Sequence, residues 1–300
     1  MNSAYIASVI NSTLRSTTPI LLAALGCAMC SRVGVFNVAL EAQMLIACFT
    51  SIAVNYFTSN VLLSVLAGVL SGAVVGAVVA ILQVKYKAAD MVVGTALNLL
   101  VGAITTFLLY LVFGLRGKLV DNHLVSLGKI NLPVIKDIPF LGRVLENLTI
   151  IDYLSYIIAI VLFVYLFKTV AGFRTLSVGI NKSAAESLGT KATRIQMEMV
   201  TLSGALCGLG GVVLSMGQVT MFTENMTSGR GFIAMAASSL GMAHPLLVIA
   251  SSLFFGLCQG IGLALQNVVK AQLTNTLPYI ATIVALVIFS KRNSSAKLKK

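Results

Sequence analysis

Long apolar segments follow one another along most of the chain, and they restrict it to folds that are built inside a membrane. A helix needs about 20 mainly apolar residues to cross roughly 30 Å of hydrocarbon. Only 10% of the 300 residues are charged, whereas soluble domains carry about 25%. The pattern predicts an all-α, polytopic transmembrane helix bundle in one domain, residues 1–300, with spans at Val38–Phe57, Val61–Val84, Met91–Phe113, Ile150–Val170, Ile195–Gly217, Leu246–Gln266 and Leu277–Ser290.

Shorter pieces lie between these spans. Residues 1–16 are amphipathic, and residues 17–30 and 232–242 are apolar. If both apolar pieces cross, the N-terminus lies outside and the C-terminus inside, so we expect about eight to ten spans that include short broken helices. Transporters often consist of two related halves with broken helices, and a short echo precedes an apolar helix in each half, Arg32-Val-Gly34-Val-Phe36 and Arg230-Gly231-Phe232.

The stretch Gly172–Arg194 is a polar, basic interval in this apolar chain. Its excess of Lys and Arg over its one acid, Glu186, places it on the cytoplasmic side. Residues 181–189 are mostly small and end at Gly189, which predicts a short helix with a glycine stop. The pattern fits a docking helix for a cytoplasmic partner or a solvated loop, and it does not decide between them.

Other polar segments set the remaining topology. Residues 114–149 contain Pro133 and Pro139 with mixed charges, and we expect them to form an external loop. The basic tail, residues 291–300, should be cytoplasmic. The net charge of +12 comes from bases scattered over loops and tail, so it indicates membrane orientation and no nucleic-acid partner.

Small residues recur at intervals of four within the predicted spans. This spacing lets helix backbones approach closely in lipid. We therefore predict helix packing contacts at Gly68, Gly72, Gly76, Gly204 and Gly208.

Polar side chains inside apolar segments are candidates for a substrate path, because they are costly in hydrocarbon without a cavity or a partner. Glu41 shares a helical face with Asn37, and its alternative is an ion pair with Arg32. Asn98, Ser215 and Gln218 could contact a polar ligand or tie helices together, and both readings stay open. The other ionisable candidates are Asp90, Glu198 and Glu224.

No catalytic signature stands out. The chain has no GxxxxGK[ST] phosphate loop, so it cannot be a P-loop ATPase, and it has no HExxH or GxSxG motif. Cys27 and Cys30 have CxxC spacing but lack a second pair or a nearby histidine for zinc. We expect a transport protein without a metal or cofactor of its own, not an enzyme.

Several motifs occur together in an order typical of one family. The chain resembles ABC importer permeases of the ribose and branched-chain amino-acid permease superfamily, especially the nucleoside-type permeases that work with basic membrane lipoproteins. The resemblance covers residues 17–290 and rests on TPILLAALG at 18–26, RVGVFNVALE at 32–41, ADMVVGTALN at 89–98, AAESLG at 184–189, SGALCGLGG at 203–211 and GRGFIA at 229–234.

The resemblance implies a permease that switches by alternating access in a bacterial cell (inner) membrane. Its partners would be a second, related permease chain, cytoplasmic ATPases that hold ATP and Mg²⁺, and an external substrate-binding lipoprotein. Nucleosides are the leading cargo, with riboflavin or a simple sugar as alternatives. The coupling helix that meets the ATPase would contain Ala184, Ala185, Glu186 and Gly189.

One position departs from the family pattern. Members commonly carry Glu-Gly-Met-Met where this chain has Glu41-Ala42-Gln43-Met44. The polar Gln43 therefore joins the substrate-path candidates. A different class of function also stays open, namely an ion-coupled secondary transporter acting alone, with Glu41, Glu198 or Glu224 as its ion site.

Overall fold

A computed structural model describes residues 3–130, 144, 146 and 148–265, and the part it describes is a helix bundle. The helices are α1 Ser3–Arg32, α2 Leu40–Thr58, α3 Val61–Ala80, α4 Asp90–Phe113, α5 Ile150–Lys168, α6 Val170–Ile180, α7 Lys182–Ser187, α8 Ala192–Val212, α9 Arg230–Leu240 and α10 Pro245–Leu265. Two of them continue into π-helical turns, α3 through Ile81–Lys85 and α8 through Val213–Val219.

Within the described residues, seven helical segments are long and apolar enough to cross a membrane. This confirms the polytopic bundle. The predicted span Leu277–Ser290 and the basic tail 291–300 lie outside the described residues, as does most of 131–147. The candidate spans are Ala7–Arg32, Leu40–Thr58, Val61–Lys85, Asp90–Phe113, Ile150–Lys168, Ala192–Val219 and Pro245–Leu265.

Two short antiparallel ribbons lie at one end of the bundle. Strand β1, Lys118–Leu119, pairs with β4, Phe222–Thr223, and strand β2, Lys129–Ile130, pairs with β3, Leu148–Thr149. We call this end, which carries residues 114–130, the loop end. We call the opposite end, which carries residues 170–191, the basic end.

Helix α1 differs from the prediction. The separation of residues 1–16 from 17–30 was wrong, because one continuous helix runs from Ser3 to Arg32 with Pro19 inside it. Proline has no N–H, so the carbonyl four residues earlier loses its helical donor. Here that carbonyl belongs to Arg15, and the side chain of Gln218 donates to it at 2.7 Å. This bond replaces the one that Pro19 removes.

The glycines spaced four apart pack α3 against α8. A Cβ on Gly72 would lie 2.5 Å from the carbonyl oxygen of Gly204 and 2.7 Å from Cα of Gly208. A Cβ on Gly76 would lie 3.0 Å from Cα of Gly204. Gly68 faces Val212, and Gly208 in turn faces the backbone of Gly68. The backbones of the two helices therefore touch through these positions, as the spacing indicates.

A broken crossing joins α8 to α10. It starts at the loop end, where β4 pairs with β1. It continues as an irregular segment and ends as helix α9, whose 11 residues are about 16 Å long, roughly half the hydrocarbon thickness. The chain then reaches Met242 and Ala243, which contact Arg32 at the basic end. The segment around 232–242 is thus the half-length helix of a discontinuous crossing.

Candidate functional site

The N-terminus of α9 meets the N-terminus of α2 inside the bundle. The Glu41 carboxylate, only 8% exposed, accepts hydrogen bonds from the backbone N–H of Gly229 at 2.7 Å and of Gly231 at 2.6 Å. A Cβ on Gly231 would lie 2.5 Å from the Glu41 nitrogen, so glycine permits this close approach. Negative charge is favourable at a helix N-terminus, and Glu41 therefore caps α9 across the bundle.

Arg32 holds the other end of α9, so its expected ion pair with Glu41 does not form. Its guanidinium donates to the carbonyls of Ala243 at 2.8 Å and Met242 at 3.0 Å, just beyond the last residue of α9. It also lies over the ring of Phe167, 5.4 Å from the centroid. Positive charge is favourable at a helix C-terminus, which explains why the two charges serve opposite ends of α9 instead of each other.

His244 lies beside this contact, in the connection between α9 and α10. Its ring is 4.9 Å from that of Phe167 and 5.4 Å from that of Phe163. Partial burial lowers the pKa of His244, and the charge of Arg32 lowers it further. Folding therefore disfavours protonation of His244, whose ring packs against two aromatic side chains.

Asn98 fastens α4 to the start of α2. Its Oδ1 accepts from the backbone N–H of Ala42 at 2.9 Å, and its Nδ2 donates to the carbonyl of Val38 at 3.1 Å. Free N–H groups in the first turn of a helix need such acceptors. Asn98 therefore links α4 to α2 by hydrogen bonds, which is one of the two interpretations that the sequence left open.

Ser215 and Gln218 also bond to protein groups. The Ser215 hydroxyl lies 3.0 Å from the hydroxyl of Ser51 and 3.2 Å from the carbonyl oxygen of Gly211, and it is fully buried. Gln218 completes the backbone of α1 at Arg15, as described above. Both therefore tie the π-helical end of α8 to other helices.

Asn37, just before α2, and Gln43, in the first turn of α2, form a buried polar pair. Asn37 accepts from the N–H of Ala39 at 3.0 Å, and its Nδ2 donates to Oε1 of Gln43 at 3.4 Å. The Nε2 of Gln43 is buried without a hydrogen-bond partner among the described residues. A buried unpaired donor is costly, so Gln43 has unused capacity to bind a polar group.

Of the remaining acidic candidates, Asp90 is the first residue of α4, and Glu198 and Glu224 are engaged near the ends of the bundle. Glu198 forms an exposed ion pair with Arg194 at 2.7 Å. Glu224 accepts from the N–H of Gly117 at 2.8 Å. No group of three or more His, Cys, Asp or Glu residues suited to a metal ion occurs in residues 3–130 and 148–265.

The basic end carries the predicted short helix, α7. Asn181 caps it by accepting from the N–H of Ala184 at 3.0 Å, and Gly189 follows it with a left-handed φ of +81°. The prediction missed α6, which makes the first half of Gly172–Arg194 helical as well. Two glycines let α6 cross helix ends closely, since Gly172 faces the last turn of α5 and Gly179 faces the end of α1.

The four coupling candidates do not share one face. Ala184, Glu186 and Gly189 are exposed, but Ala185 is 2% exposed and packs against Val178 and Ala192. Ala185 therefore anchors α7, because a buried methyl group cannot touch a partner.

Large apolar side chains stand beside α7. Leu188 is 86% exposed and Ile180 is 87% exposed. Next to Leu188 is a half-open groove of about 470 Å³, lined by Arg174, Gly189, Lys191, Arg194 and their neighbours. Sequence reasoning missed these two apolar residues, although each stands out as a large residue next to a run of small or polar ones.

The sequence comparisons identify the family. The model for the branched-chain amino acid transport system / permease component matches residues 9–289. The chain belongs to this family. Family members at 32% identity include the nucleoside ABC transporter permease protein NupC of Lactococcus lactis, matched over 94% of this chain and 92% of that protein.

Two further members extend the comparison. The guanosine ABC transporter permease protein NupQ of Bacillus subtilis is 32% identical over 96% of this chain and 94% of its own length. The nucleoside ABC transporter permease protein NupB of L. lactis is 29% identical over 83% of this chain and 71% of its own length. No solved structure matches the chain. The bundle of spans and the family together make it a multi-pass membrane permease component.

Proposed function

We propose that the chain is the permease subunit of an ATP-driven importer that carries nucleosides across a bacterial cell membrane. The observation that carries the proposal is its 32% identity, over more than nine-tenths of its length, to permeases named for nucleosides and for guanosine. Riboflavin and simple sugars remain the alternative cargoes for the test below.

The proposed transporter contains a second permease chain of related sequence. L. lactis has both NupC and NupB, and this chain resembles NupC at 32% and NupB at 29% identity. A pair of different permeases is therefore our preferred arrangement. The other proposed partners are a cytoplasmic ATPase, which would hold ATP and Mg²⁺, and an external substrate-binding lipoprotein. The permease itself would need no cofactor.

The basic end supports docking of the ATPase. Its bases fit a cytoplasmic position, and Leu188 and Ile180 offer apolar side chains that no described residue covers. Ala184 and Glu186 are exposed on the same short helix. Burial of one leucine side chain contributes about 2 kcal/mol to an association, so Leu188 is a strong candidate for the contact.

In this proposal, ATP binding moves α7, and the bundle alternates between its two open states. Gln43 is fully buried in the state described here. It is our preferred substrate contact among the six path candidates once the bundle opens, because its Nε2 has no protein partner among the described residues. The other candidates serve the backbone or a neighbouring side chain. The acids engaged by Gly117, Gly229, Gly231 and Arg194 also argue against a stand-alone ion-coupled carrier.

The test is uptake of radiolabelled nucleosides, with riboflavin and ribose in parallel, by cells that express the chain with its partner subunits. Ala184→Arg places a bulky charge on the exposed face of α7, and Ala184→Ser is the matched control. Replacement of Gly189 is a poorer test, since its left-handed φ strains any other residue. Membrane abundance of each variant is checked by immunoblot.

We expect Ala184→Arg to abolish nucleoside uptake at normal abundance and Ala184→Ser to preserve it. If the cells take up riboflavin or ribose but no nucleoside, that compound is the cargo in place of nucleosides. Uptake that survives Ala184→Arg, or that depends only on the proton gradient, would favour the ion-coupled carrier.

A further inference from the structure

Helix α9 is held at both ends by two residues that flank the short connection between α1 and α2. Glu41 binds the two glycine N–H groups at its start, and Arg32 binds the carbonyls just after its end. Both charges match the helix dipole. We call Arg32 and Glu41 the α9 clamp.

The backbone on each side of α9 adopts the left-handed conformation at several residues. Asn225 and Ser228 precede the helix with φ of 53° and 45°, and Met242 and Ala243 follow it with φ of 52° and 51°. Such values are uncommon for residues other than glycine and store strain. Helix α9 is therefore a short rigid rod between two strained connections.

The contacts along the length of α9 combine one large buried side chain with several small residues. Its buried side consists of Ile233, which belongs to the hydrophobic core, and of Gly231, Ala234, Ala237 and Ser238. The Ser238 side chain lies beside the thiol of Cys27 on α1, and the carbonyl of Ala237 accepts from Ser251 on α10 at 2.7 Å. The hydrogen bonds of Glu41 and Arg32 add charged contacts at the two ends to this packing.

We propose that Arg32 and Glu41 are positioning residues that hold α9 in the state described here, and that α9 leaves this position in every transport cycle. The inference rests on the proposed transport function, but it adds a moving part and names the residues that control it. Strained connections favour the departure of α9, and the clamp opposes it. Release requires Glu41 to leave the N–H groups of Gly229 and Gly231.

The first test locks α9 to α1. Ser238→Cys places a second thiol beside native Cys27, and an oxidant or a short bifunctional thiol cross-linker can join the two. We expect oxidation to stop nucleoside uptake and dithiothreitol to restore it, with the cross-link verified by mass spectrometry. Wild type and the Cys27→Ser, Ser238→Cys double variant are the oxidant controls. Full uptake by cross-linked protein would overturn the proposal.

The second test measures the clamp without transport. In a chain whose five native cysteines are replaced by serine or alanine, Ser238→Cys reports the position of α9 through its rate of alkylation by a membrane-permeant maleimide. Ser238 is 1% exposed, so the rate should be low. We expect Glu41→Gln and Arg32→Gln each to raise it about tenfold, the population shift that loss of a hydrogen bond to a charged group allows.

A second reporter separates a released helix from a damaged fold. Ser64→Cys lies on α3, away from the clamp, and Ser64 is fully buried. Its alkylation should stay slow in both clamp variants. An unchanged rate at position 238, or equal acceleration at positions 238 and 64, would reject the clamp. Because alkylation needs no substrate, a wild type that transports no nucleoside would refute the proposed function without deciding this result.

Discussion

Gly72 and Gly204 face each other across the α3–α8 contact, and each occupies the space that a side chain on the other would need. A Cβ on Gly72 would lie 2.5 Å from the carbonyl oxygen of Gly204, and a Cβ on Gly204 would collide with the carbonyl oxygen of Gly72. Neither backbone atom can move without shifting a whole helix. The contact therefore sets the distance between two of the candidate spans.

Gly72→Ala should lower the free energy of unfolding by about 1–3 kcal/mol, the usual cost of overpacking. Gly102→Ala is the matched control, because a Cβ at that helical glycine meets nothing within 4 Å and alanine favours a helix by up to about 1 kcal/mol. Thermal unfolding in detergent measures both. A control that unfolds as early as Gly72→Ala would contradict this account.

Gln218→Leu should destabilise the fold by about 1–3 kcal/mol, because the carbonyl of Arg15 then has no donor. Pro19→Ala restores the helical N–H that Arg15 lacks. Unfolding of the wild type, both single variants and the double variant completes a double-mutant cycle. We expect Gln218→Leu to reduce the free energy of unfolding much less in the Pro19→Ala background. An equal reduction in both backgrounds would show that Gln218 does not compensate for Pro19.

Asn98→Leu should reduce stability by about 1–3 kcal/mol and leave the KM for nucleoside uptake unchanged, since both amide atoms serve the backbone of α2. Thr95→Val on the same helix is the control, because the Thr95 hydroxyl bonds only within α4 among the described residues. Uptake kinetics and thermal unfolding distinguish the outcomes. A large rise in KM with normal stability would return Asn98 to the substrate path.

Leu188→Ser should weaken association with the ATPase while thermal stability stays normal, since the side chain is 86% exposed in the permease. Lost burial of about 2 kcal/mol corresponds to roughly thirtyfold weaker binding. Copurification of ATPase with the tagged permease measures the effect. Val120→Ser at the loop end is the control, and equal copurification of both variants with wild type would exclude Leu188 from the contact.

Acidification should destabilise the protein through His244. Because its folded-state pKa is below the ordinary 6.5, the unfolded chain binds the proton more tightly. The stabilisation is complete above about pH 6.5 and is lost as pH falls towards the lowered pKa. His244→Phe keeps the ring contacts and should show a smaller drop in Tm between pH 7.5 and 5.5. An equal drop in the Tm of His244→Phe and of the wild type would contradict this account.

Sequence patterns predicted the parts of the fold that depend on local chemistry. The spans follow from runs of apolar residues, the α3–α8 contact follows from glycines four apart, and α7 follows from its small residues and Gly189. The continuity of helix α1 was missed because residues 1–16 are amphipathic whereas residues 17–30 are apolar. Pro19 also removes one backbone hydrogen bond from this helix. Its repair comes from Gln218, a residue 203 positions away, and periodicity carries no information about such distant partners.

The candidate site shows the same limit. A glutamate at position 41 is visible as an unusual polar residue, but its partners are backbone N–H groups, and backbone groups have no signature in a sequence. The only signal was the echo of Arg230-Gly231-Phe232 with the segment at Arg32. That echo marks both connections that meet around α9, yet it does not tell which charge binds which helix end.

The α9 clamp also imposes an order on biogenesis. Glu41 leaves the ribosome 190 residues before Gly231, an interval of about 10–40 s at ordinary synthesis rates. Throughout that time its carboxylate lacks the two amides that later accommodate it. The hairpin of α1 and α2 therefore carries a carboxylate without hydrogen-bond donors during this interval. The translocon or interfacial water must solvate this charge until α9 has been synthesised.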